Sequence, residues 1–76
     1  MKDAPLKFKW IQSALPNFFK KKDIERLNSA IEQARKSGID WSVIIGVLLP
    51  LIISLFSGGN INIQSIIDAI LALFNN

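Results

Sequence analysis

The residues that most often carry out chemistry are missing from this chain, which contains no histidine and no cysteine. A nucleophile would have to be a serine activated by lysine or by a carboxylate, and no serine stands at a spacing from either that favours such a pair. We therefore expect no enzyme. Without thiolate or imidazole ligands a transition-metal site is not expected either, and disulfides are excluded outright. Gly58 and Gly59, the only adjacent glycines, follow an apolar helical run rather than a strand and lack phosphate-binding spacing. They read as a helix stop and turn, and no cofactor is expected.

Two further features could do chemistry of a non-catalytic kind. Phe18 and Phe19 precede Lys20, Lys21 and Lys22. Aromatic rings beside ammonium groups suit three settings: a solvated loop whose rings fill the core, a lipid headgroup or partner contact, or stacked nucleic-acid bases. A net charge of +3 is small for nucleic-acid binding, and the second half of the chain is apolar, so that partner is placed last. Asp68 is the only charged residue after Asp40. At bilayer depth its carboxylate would cost about 2.5–3.5 kcal/mol and need a partner, so a solvated polar face is the expectation and an ion or proton site the alternative. Trp10 and Trp41 suit either an interfacial belt or an ordinary core.

The elements that would hold these groups can be read from periodicity. Asp3, Ala4 and Pro5 read as a helix start, with Leu6, Trp10 and Ala14 on one stripe, Ile11 and Leu15 beside it, and Pro16 ending the helix by disfavouring helical geometry at Leu15. Asn17 is placed to cap the next element. A second helix is predicted over 23–37, with Ile24, Leu27, Ile31 and Ala34 inward, Arg35 and Lys36 at its negative end, and Gly38 in the left-handed position beyond it. Asp40 then caps a third helix over 41–57, in which Pro50 removes one hydrogen bond and should bend the axis. A fourth is predicted over 62–74, where Ile63, Ile66, Ile67, Ile70, Leu71 and Phe74 form the cleanest amphipathic face in the chain. The fold class is all-α, with about four short helices (4–15, 23–37, 41–57 and 62–74) in a single small domain, 1–76.

Within that domain the halves differ. Residues 1–40 hold all nine basic residues against five acids, while 41–76 carry one acid and no base. Half of the residues are hydrophobic, at 50%, and counting the four glycines lifts the chain above the roughly 45–50% usual for soluble domains. The apolar run begins forty residues in, so no secretory signal is expected. In the third helix Ser42, Gly46, Pro50, Ser54 and Gly58 recur every four residues, a row of small or narrow side chains against which another backbone could pack. A helix apolar on all sides needs more cover than three single-striped neighbours supply. Lipid or a protein partner should provide the rest, although sixteen residues reach about 24 Å against a hydrocarbon core of about 30 Å.

These features point to a small membrane-associated structural or anchor subunit of a larger assembly. Helix 41–57 would lie in the lipid bilayer or against partner helices, with the basic half on the inner, cytoplasmic side. The alternative is a soluble helical module, within a large assembly, that self-associates through 41–57 and 62–74. A membrane-permeabilising protein of holin or bacteriocin type ranks third.

Overall fold

A computed structural model describes residues 4–75. Among them are four α-helices and no strand: α1 Leu6–Ala14, α2 Lys21–Lys36, α3 Trp41–Phe56 and α4 Ile63–Leu71, with a 3-10 turn, Leu15–Asn17, between α1 and α2. The all-α class is as expected; the start of α3 falls where predicted, and the other boundaries shift by one to three residues. Asp3 lies outside the described residues. Pro5, not an acidic side chain, occupies the N-cap of α1 in an extended conformation. Leu15 keeps right-handed helical geometry despite the proline after it, and the chain tightens into the 3-10 turn through Pro16 instead of stopping at once. Asn17 is absorbed by that turn and Lys20 becomes the N-cap of α2. Lys21 and Lys22 are thus helical, in a first turn where the macrodipole disfavours cations and only Asp23 offsets them.

Both long helices end in the same way. Gly38 and Gly58 take φ of 93° and 90°, a region that L side chains rarely enter. Beyond Gly38, the Ile39 N–H donates to the Ala34 carbonyl at 3.0 Å; beyond Gly58, the Gly59 N–H donates to that of Ser54 at 2.8 Å. These bonds satisfy carbonyls that a helix end leaves bare. Asp40 stands at the N-cap of α3, yet its side chain makes no capping bond, and its backbone carbonyl accepts from Val43 and Ile44 instead. Asn62 does cap α4, accepting from the Ser65 N–H at 2.8 Å. Past Leu71 the helix gives way to tight turns through Phe74, so α4 is shorter than its apolar stripe.

Ile11, Leu15, Leu27, Ile31, Ile44, Leu48, Ile52, Ile66 and Ile70 are fully enclosed, and every element contributes to that set. α4 packs along α2 and also meets α3, while α1 packs on α3. Arg26 of α2 donates to Gln64 of α4, and Gln12 of α1 to Asn28 of α2 at 3.3 Å. At the α2–α3 corner, Arg35 donates to the Ile39 carbonyl at 2.9 Å and lays its guanidinium 4.9 Å from the centre of the Trp41 ring. That contact holds a short connection in one shape.

The inward face of α1 is the expected stripe rotated toward Phe8: Ile11, Ala14 and Leu15 face the core as expected, but Leu6 and Trp10 do not. Phe8, Ile11, Ala14 and Leu15 are buried, whereas Leu6 is 82% and Trp10 46% exposed. Phe8, flanked by two lysines, lies off the expected stripe and is nonetheless core. Its ring meets Trp41 at 4.5 Å between centroids, while Trp10, on the opposite side of α1, meets Phe56 at 5.7 Å. Trp41 and Phe56 stand at opposite ends of a helix about 24 Å long. Two side chains only two residues apart reach both, so α1 lies across α3.

Candidate functional site

α3 has no charged residue, and the bundle covers only part of it. Ile44, Leu48, Ile52 and Leu55 recur at three or four residues and face inward, against α1 and α4. The other side carries Ser42, Val43, Gly46, Pro50, Ile53 and Phe56, all exposed, with Leu49 half-buried among them. Ile53 and Phe56 are 52% and 53% exposed. The expected shortage of cover is therefore localised: among the described residues one arc of α3, from Val43 to Ile53, is left exposed, and Phe56 at its end is half covered by aromatic neighbours.

α1 and the turn extend this arc sideways. Trp10 rests near Phe56, and Phe18 meets the same ring edge-on at 5.0 Å, so an aromatic cluster continues the arc at the end of α3. Phe18 and Phe19 are half-buried against the core, as expected of a loop whose rings fill the bundle, but Phe18 also borders this outer cluster. Lys7, Lys9, Lys20, Lys21 and Lys22 are all exposed. Residues 4–22 hold those five lysines and no acid. The acids of the described residues fall on α2, at the α2–α3 corner and on α4, so α1 and the turn after it carry cations and apolar side chains without an acid.

Where α1 crosses α3 the surface is concave. Pro5 and Lys7 on one side and Ser42, Ile45, Gly46, Leu49 and Pro50 on the other line an open groove of about 510 Å³. Among the described residues Lys7 is its only charged lining residue. The floor is low because Gly46 has no side chain, and a methyl group built there would meet nothing within 4 Å. Pro50 has no N–H to give the Gly46 carbonyl, so that oxygen is short of its helical donor.

The proposed packing row is thus divided. Ser42, Gly46 and Pro50 line the groove, Ser54 is half-buried, and Gly58 lies past the helix end. Ser54 is occupied within the chain, because its carbonyl and hydroxyl sit against Gly59. The amphipathic face of α4 is also committed internally: Ile63, Ile66, Ile67 and Ile70 are buried, and Leu71 and Phe74 are half-buried against the same core. Asp68 is exposed and accepts from Gln64 at 2.9 Å, a solvated face as expected. α3 is a 16-residue helix, and no helix among the described residues is long and apolar enough to cross a membrane. No grouping of three or more potential metal ligands occurs among the described residues. No family model, curated protein sequence or solved structure matches the chain.

Proposed function

We propose that the protein is a membrane-surface anchor that lies on an anionic leaflet through the α1–α3 face, as a small structural subunit of a larger assembly. The observation that carries this reading is the uncovered, uncharged arc of α3 beside an acid-free segment bearing five lysines. Apolar rings entering the acyl boundary while ammonium groups meet the phosphates is the arrangement of an interfacial helix. Leu6, Trp10, Val43, Ile53 and Phe56 are the exposed large apolar side chains. Burying what remains of their surface is worth on the order of 5 kcal/mol, and each lysine near an anionic surface adds about 1 kcal/mol. The terms are comparable, so binding should need both. The inner, cytoplasmic leaflet supplies the anionic surface, and Glu25, Glu32 and Asp68 on α2 and α4 are left to face partner proteins.

Flotation with vesicles tests the reading. The chain should float with mixed phosphatidylcholine and phosphatidylglycerol vesicles, and poorly with phosphatidylcholine alone. The double variant Ile53→Asp, Phe56→Asp changes only exposed positions and should stay folded but remain in the dense fraction. Failure of the wild-type chain to float with anionic vesicles would sink the proposal. A second reading, a module that self-associates through the same arc, is favoured by the exposure of Gly46. It requires a discrete oligomer in sedimentation without lipid, dispersed by Gly46→Leu.

A further inference from the structure

We infer that the groove between Pro5 and Lys7 of the α1 side and the Ser42–Pro50 wall of α3 holds one acyl chain of an anionic phospholipid, with its phosphate against the Lys7 ammonium. This rests on the lipid-surface reading and assigns that face a specific lipid site. Three features of the groove point to this occupant.

Its size, about 510 Å³, falls within the roughly 300–1,000 Å³ of small-ligand sites. Its walls are Pro5, Ile45, Leu49 and Pro50, and its floor is lowered at Gly46, so an unbranched hydrocarbon can lie against backbone. Among the described residues its single charge is positive and stands on the α1 side. Beside the apolar walls, the exposed Ser42 offers a hydroxyl for hydrogen bonding.

Charge separates this occupant from a second copy of the chain. A twofold contact through the groove would bring together two copies of a face whose lining, among the described residues, contains Lys7 and no acid. Like charges would then meet without a counter-ion. A phosphate removes that conflict.

The test uses monomeric lysophosphatidylglycerol and lysophosphatidylcholine of equal chain length, below their micelle concentrations, added to the full chain and followed by amide NMR shifts. Saturable shifts should appear at Lys7, Ser42, Ile45, Gly46 and Leu49 with lysophosphatidylglycerol, and binding of lysophosphatidylcholine should be about fivefold weaker, the effect of one lysine. Lys7→Gln should bring the two lipids level. Gly46→Leu fills the floor without a clash at its Cβ and should abolish the saturable shifts while the helical circular dichroism is unchanged. Shifts spread without saturation over Trp10 and Phe56, or binding untouched by Gly46→Leu, would overturn the site. A lipid-free dimer dispersed by Gly46→Leu would overturn it in favour of a second copy. Flotation separates this inference from the broader one: a chain that floats with anionic vesicles but gives no saturable lysophosphatidylglycerol shifts keeps the surface reading and loses the groove.

Discussion

A methyl group at Gly46 would meet no heavy atom within 4 Å, whereas one at Gly59 would meet the Ser54 carbonyl oxygen at 2.8 Å. The two glycines therefore have opposite roles. Gly46 is helical and open, so Gly46→Ala should stabilise the fold by about 0.5–1 kcal/mol through the unfolded chain and helix propensity. Gly59→Ala forces the turn away from α3 and should cost about 1–3 kcal/mol. Urea midpoints of the two variants, measured against wild type, should move in opposite directions. An unchanged midpoint for Gly59→Ala would mean that the turn relaxes freely. At this scale the sequence was informative about turn chemistry, since Gly38, Gly58 and Asn62 are where helix termination and capping require them. Asp40 shows the limit: the residue type suits a cap, but the hydrogen bond depends on a rotamer that sequence does not specify.

Helices were legible in proportion to their polarity contrast. Ile63, Ile66, Ile67 and Ile70 alternate with polar or small residues, so only one face of α4 could be buried, and it is. Ile66→Ala should accordingly cost about 2–5 kcal/mol, a large part of the roughly 5–15 kcal/mol that holds a typical domain together. Thermal circular dichroism should show a strongly lowered or uncooperative transition, and a small shift would mean that α4 is peripheral to the core. α3 is apolar at nearly every position, which makes burial certain and its direction undefined until α1 and α4 choose a side. On α1 the spacing put Leu6, Trp10 and Ala14 on one stripe with Ile11 and Leu15 beside it, and left out Phe8, which is core. Spacing carries no information about which neighbour a ring will meet; contact with Trp41 and the rest of the core turned Phe8 inward and Leu6 and Trp10 outward. The groove was illegible for the same reason, because it exists only where those two choices cross.

Across the whole molecule, the division between a basic half and an apolar half is re-sorted by folding. Because α1 lies across α3, Lys7 of the first half and exposed apolar residues of the second border one groove, and the acid-free segment 4–22 runs beside it. A domain of this size buries a modest share of its surface, so an outside partner for that side is physically reasonable. If the closed bundle docks on one leaflet, binding should leave vesicles sealed: a trapped dye should be retained at protein ratios that give full flotation. Rapid release at low ratios would move the protein to the permeabilising class. Raising the salt concentration should weaken flotation without removing the apolar contribution.

The two tryptophans occupy opposite ends of the α1 crossing, one beside Phe56 at the outer face and one between Phe8 and the Arg35 guanidinium. They are, in effect, two separately addressable optical reporters. In Trp41→Phe the remaining emission comes from Trp10, and lipid should shift it to shorter wavelength and shield it from iodide. In Trp10→Phe it comes from Trp41, whose emission should stay constant while the bundle remains closed. Docking of the intact fold would move the first signal alone, and insertion by opening the bundle would move both.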